Sequence, residues 1–179
     1  MILPLFRLRK RSATISRLYG TIVAQSRMPS FYRDYAVPDT VNSRFDMIVL
    51  HLSLLIDRLA TEPEPVRGIG QAVFDRFCQD MDENLREMGV GDLSVPKEMQ
   101  QLGAAFYGRL QAYRSALASN ETPGLADALA RNVYGAAARS DGAGRLANYM
   151  RGAVRELVGQ KGADFARGEV RFPDPASIN

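Results

Sequence analysis

The chain has one cysteine, Cys78, one histidine, His51, and no tryptophan among its 179 residues. A lone cysteine excludes an internal disulfide and fits a reducing compartment. One histidine and one cysteine are too few for a His/Cys zinc cluster within one chain. Nowhere is there a run of the ~18 apolar residues that a membrane-spanning helix needs. Period-two alternation, the mark of half-buried strands, is also missing. Residues 1–33 contain no acid, only seven basic groups: Arg7, Arg9, Lys10, Arg11, Arg17, Arg27 and Arg33.

What is present is ordinary for a globular domain: 46% hydrophobic and 24% charged residues, with a net charge of +3. That length suffices for one domain with a real core. The charge is polarised, because the basic first segment leaves the remainder at −4. Six acids face only Arg76 and Arg86 between Asp75 and Asp92, and basic residues dominate again from Arg131 to Arg171. Met1–Leu8 is apolar apart from Arg7, but it precedes the charges and carries no small-residue cleavage site, unlike a signal peptide. Residues 1–11 are therefore expected to be a basic, partly flexible leader. Arg7, Arg9, Lys10 and Arg11 suit an anionic surface, either phospholipid or RNA.

Hydrophobic spacing predicts an all-α fold: a single-domain bundle of about six helices over 12–170, followed by a frayed tail over 171–179. Ser12 is expected to cap the first helix. The second, about 40–60, has apolar residues on two sides, so it should be the central buried helix, with Phe45, Leu52 and Ile56 fully enclosed. His51 falls on a polar strip with Arg44 and Arg58; Asp46, Ser53 and Asp57 form the other strip. A third helix, about 71–88, turns Val73, Phe77, Met81, Leu85 and Met88 inward and stops at Gly89. Ser94 and Pro96 open a fourth, in which Met99, Leu102, Phe106, Leu110 and Tyr113 form a seam while Ala104, Ala105, Gly108 and Ala112 leave the far side smooth. Thr122-Pro123 opens a fifth helix, and a sixth follows a break at 140–144.

Catalysis needs groups that converge, and the sequence does not supply them. His51 is the sole imidazole, and Cys78 lies on an apolar helix face, as inert buried thiols do. Asp80, Asp82 and Glu83 lack the spacing and glycine of a calcium loop. Gly89-Val-Gly-Asp is half a phosphate loop with no Gly-Lys-Ser/Thr after it. No zinc-finger, RRM or KH signature accompanies the basic leader. Neither an enzyme nor a cofactor or metal site is expected.

The stretch 80–113, DMDENLREMGVGDLSVPKEMQQLGAAFYGRLQAY, resembles the central signature of the ubiquinol–cytochrome c chaperone family. The blocks 31–59, FYRDYAVPDTVNSRFDMIVLHLSLLIDRL, and 18–27, LYGTIVAQSR, are similar to its earlier part, while the match weakens after about residue 120. The resemblance implies an assembly chaperone that binds newly synthesised cytochrome b and promotes assembly of ubiquinol–cytochrome c reductase, respiratory complex III. It implies no small-molecule substrate. Mitochondrial relatives act with a small partner protein and near the ribosome. Lacking their long leader, this chain resembles a bacterial version, expected in the cytoplasm and peripheral at the inner face of an anionic inner membrane. Under this reading Met81, Met88 and Met99 adapt to a client, Phe106, Tyr107 and Tyr113 anchor it, and Ala104 and Gly108 admit its backbone. The same side chains also suit a plain core. An RNA- or ribosome-binding module using the basic leader is the alternative function.

Overall fold

A computed structural model describes residues 3–119, 122–135 and 141–178, with side chains from Arg11 onward except at 122 and 123. The helices run in the order α1 Leu3–Ser26, α2 Pro29–Arg33, α3 Val41–Ala60, α4 Arg67–Glu87, α5 Val95–Ala118, α6 Thr122–Leu129, α7 Asp141–Val158 and α8 Gly162–Ala166. A π turn, Ala130–Tyr134, extends α6, and a 3-10 turn, Pro175–Ser177, ends the tail. Among the described residues none lies in a strand, and no helix is long and apolar enough to cross a membrane.

The central position of α3 follows from its composition. Thr40 caps it by accepting from the Ser43 N–H at 3.1 Å, and from Asp46 to Leu55 every residue is buried. Helices α1, α4, α5 and α7 all pack against it. Leu52 is fully enclosed, as expected, whereas Phe45 and Ile56 are only half-buried. These two stand at the ends of the enclosed run, where fewer neighbours cover the helix.

Burying a helix on all sides obliges its polar residues to find partners. His51 Nδ1 lies 2.7 Å from the Met47 carbonyl and 3.1 Å from Ser26 Oγ, and Nε2 lies 2.9 Å from the Tyr149 hydroxyl. Because a carbonyl only accepts, Nδ1 carries the proton, and Nε2 accepts from Tyr149. Gln25 Nε2 in turn donates to the Tyr149 oxygen at 3.0 Å and to the Pro173 carbonyl at 2.9 Å. His51 is thus wholly buried instead of lying on a half-exposed strip. Burial pushes its pKa down to about 4.

The tail is packed, contrary to the frayed end expected. Phe172 meets the His51 ring edge-on at 5.1 Å, and the Tyr35 hydroxyl donates to the Pro175 carbonyl at 2.7 Å. Gly152 leaves room for it, since a Cβ there would stand 2.9 Å from Ile178. Proline punctuation alone does not fray a segment whose carbonyls have donors waiting.

Several boundaries also shift. Helix α1 begins at Leu3 rather than at a Ser12 cap, and α4 begins a turn before Gln71. Gly70 is carried inside α4 because it packs on Leu59, whose Cβ would lie 3.7 Å from an added methyl. The side chain of Ser94 makes no capping bond. Helix α7 starts at Asp141, so Gly142 and Gly144 lie inside it, while 136–140 fall outside the described residues.

Candidate functional site

The first half of α4 and the second half of α5 belong to the core: Val73, Phe77, Phe106, Leu110 and Tyr113 are buried. Beyond Phe77 no residue of α4 is buried, and from Pro96 to Ala105 none of α5 is. The far end of this helix pair is therefore a lightly covered arm, joined to the bundle through Cys78, Met81 and the Tyr19 hydroxyl that donates to Asp80 at 2.7 Å.

The arm is ordered by local devices. Gly89, at φ +85°, closes α4: its N–H donates to the Arg86 carbonyl, and the Val90 N–H reaches back to Leu85, both at 3.0 Å. This pair of bonds is the Schellman arrangement, and it satisfies carbonyls that the helix end would leave free. Arg86 ties the turn to the helix by binding Asp82 at 2.7 Å and Asp92 at 2.5 Å. Val95 is tucked in at the start of α5.

Among the charged and polar residues that the arm shows to solvent, large apolar side chains also stand exposed. At its tip Met88 is 64% exposed and Leu93 98%, and at its base, beside Phe74, Tyr107 is 57% exposed. An aromatic ladder runs from Phe45 through Phe77 and Phe106 to Phe74, and Tyr107 completes it at 5.7 Å from Phe74 and 5.4 Å from Phe106. The Tyr107 ring is therefore propped from inside with its outer part free. Beside it Ala104 is exposed, and a Cβ added at Gly108 would meet nothing within 4 Å. Of the smooth side of α5 anticipated from the sequence, Ala104 and Gly108 are exposed, while Ala105 and Ala112 are half-buried. Met81 and Met99 are half-buried.

Two of the anticipated client residues do not belong to that surface. Phe106 and Tyr113 are 1% exposed and lie on the inward side of α5, where the helical period places them with Leu110. Met88 errs the other way: expected inward, it stands just past the end of α4, beyond the reach of the core. Arg11 is exposed, whereas Arg7, Arg9 and Lys10 lie outside the residues whose side chains are described. Cys78 is half-buried, with its thiol pushed up by burial and by Asp75.

The opposite flank of α5 holds a cleft of about 600 Å³ that sequence reasoning missed. Its floor carries Asp46 of α3 in contact with Arg109 of α5 at 2.6 Å. Phe45, Leu102, Ala105 and Val133 supply apolar wall, and Glu98 and Asn132 stand among the polar lining. Burial lifts the Asp46 carboxyl to about 6, and the neighbouring Arg109 only partly opposes this. The available signal was an acid flanked by Phe45 and Met47 in a helix apolar on two sides, which demands a buried cation.

Comparison with known proteins gives concordant matches. A family model described as ubiquinol-cytochrome C chaperone matches residues 33–172, well past the point where the sequence blocks fade. The chain is similar to a solved structure, the crystal structure of the Cbp3 homolog from Brucella abortus, with 35% identity, a TM-score of 0.89 and all of both chains covered. It is also 26% identical over 158 residues to ubiquinol-cytochrome c reductase complex assembly factor 1 of Mus musculus, covering 87% of this chain and 53% of that protein. The Homo sapiens protein of the same name matches at 26% over 158 residues, covering 87% of this chain and 52% of that protein. The chain thus spans about half the length of these curated relatives.

Proposed function

This chain belongs to the ubiquinol-cytochrome C chaperone family, and from that membership we propose that it holds newly made cytochrome b during assembly of ubiquinol–cytochrome c reductase. The observation that carries the reading is the arm formed by α4 and α5, where Met88, Leu93 and Tyr107 are exposed. Large apolar side chains rimmed by charge mark protein docking sites. Methionines adapt to varied side chains, a propped tyrosine offers a rigid anchor, and the bare ridge at Ala104 and Gly108 lets a client backbone approach closely. Holding a client in this way needs no chemistry, and the reading assigns no residue a catalytic role. Arg7, Arg9, Lys10 and Arg11 would add electrostatic attachment at an anionic membrane face, weakening as salt rises.

The test is recovery of partners from solubilised membranes while complex III is being assembled. Wild-type protein should bring down cytochrome b, and Gly108→Leu should not, with its thermal unfolding preserved because open space surrounds that position. Ribosomal RNA recovered without cytochrome b would overturn the reading in favour of an RNA-binding module.

A further inference from the structure

We propose that the cleft between the start of α3, the middle of α5 and the π turn receives a lysine or arginine side chain presented by the chaperone's protein client. The proposal rests on the client-holding reading and adds to it a polar subsite on the flank of α5 away from Tyr107.

Among the described residues the charges lining the cleft are unbalanced toward the negative. Asp46, buried to 4% exposure, opens on the floor, and Glu98 lines the wall with no ion pair among the described residues. Among the described residues Arg109 is the only lining cation, and its guanidinium is shared between Asp46 and the Phe45 ring 5.7 Å away. Arg109 pairs with Asp46 Oδ1 at 2.6 Å, so one cation faces the two carboxylates of Asp46 and Glu98. Burial lifts the Asp46 carboxyl above its ordinary range, and Arg109 only partly opposes the rise.

Helix ends add to this. Helix α6 and its π extension finish at Gly135 on the cleft wall, presenting the negative end of a helix dipole. The start of α3 lies at the same cleft with the opposite sign, but the Thr40 hydroxyl already occupies the Ser43 N–H there. The shape suits a long basic side chain as well. Phe45, Leu102, Ala105 and Val133 would line its methylene stem, while its charged head reaches Asp46 and Glu98.

Two short peptides test the proposal on the full chain, acetyl-Leu-Arg-Leu-amide and acetyl-Leu-Gln-Leu-amide, each titrated against isotope-labelled protein by NMR. The arginine peptide should shift the signals of Leu102, Ala105 and Val133 and lower the Asp46 titration midpoint by about one pH unit, as a new neighbouring cation does. The glutamine peptide should do neither, and Glu98→Gln should weaken arginine-peptide binding several-fold without altering the melting temperature. Equal shifts from both peptides, or arginine-peptide shifts confined to other surfaces, would overturn it. In cells, Glu98→Lys should impair complex III assembly by placing a cation in the cleft. Normal assembly with Glu98→Lys, alongside failure with Gly108→Leu, would sink the cleft proposal alone. Normal assembly with the whole chain deleted would sink the client-holding reading beneath it.

Discussion

The two ends of helix α4 obey different rules. At its beginning, Ile69, Val73 and Phe77 are buried against the bundle; past Phe77 the helix continues for more than two turns without burying a residue. The same contrast separates α3 from the arm. Along α3 even an imidazole, a carboxylate and a serine have been taken inside and supplied with partners. On the arm, methionine, leucine and tyrosine are left outside. A fold able to bury polar groups has no lack of interior, so apolar groups kept exposed on a locally ordered arm are available to another molecule. Stability should therefore reside in α3 and its surroundings, and client binding on the arm.

Leu52→Ala should produce the largest loss of stability, about 2–5 kcal/mol, because the side chain is fully enclosed and its removal leaves a cavity. Urea unfolding measures it; a loss below ~1 kcal/mol would mean that α3 is not the centre of the core.

Acid sharpens the contrast inside the core. His51 is neutral when folded down to about pH 4, whereas unfolded histidine protonates near 6.5, so its contribution is present above ~6.5 and lost as pH falls toward 4. Asp46 acts oppositely: folded, it takes a proton near pH 6, the unfolded side chain only near 3.9, so acidification through that window adds stability. The two nearly cancel in the wild type. Asp46→Asn should unmask the histidine, giving a loss of about 3 kcal/mol between pH 6.5 and 4. A flat profile in that variant would contradict the burial of a neutral His51.

Smaller again is the tail. Tyr35→Phe removes donation to the Pro175 carbonyl at 2.7 Å and should cost about 1 kcal/mol. It should also speed hydrogen exchange in the backbone of 171–178, where an unclamped tail would exchange freely in both proteins. Smallest are the changes on the arm. Leu93→Ser and Met88→Ser should alter stability by less than ~0.5 kcal/mol, as surface substitutions do, and yet impair complex III assembly. Gly108→Leu should leave stability unchanged or raise it by up to ~1 kcal/mol through helix propensity.

The helices were legible because their apolar periods are regular, and the centrality of α3 because its pattern has two faces. The bare side of α5 was legible for the same reason. Period alone does not reveal how far the neighbouring elements extend, so Met88, in phase with Phe77 and Met81, passed for core. Phe106 and Tyr113 were assigned to a client for their chemistry, although their phase with Leu110 points inward. The tail was misread because its carbonyls accept from Gln25 and Tyr35, which lie at distant positions. The pairing of Asp46 with Arg109 was hidden for the same reason: the partners lie on different helices, and nothing local joins them.

The most direct measurement places a photo-crosslinking amino acid at each exposed apolar position in turn, Val41, Met88, Leu93, Tyr107 and Val158, in cells assembling complex III. All five are exposed, so accessibility alone does not separate them. The predicted result is crosslinks to cytochrome b from positions 88, 93 and 107 and none from 41 or 158. Crosslinks from 41 or 158 with silence at 88, 93 and 107 would contradict the assignment of client binding to the arm.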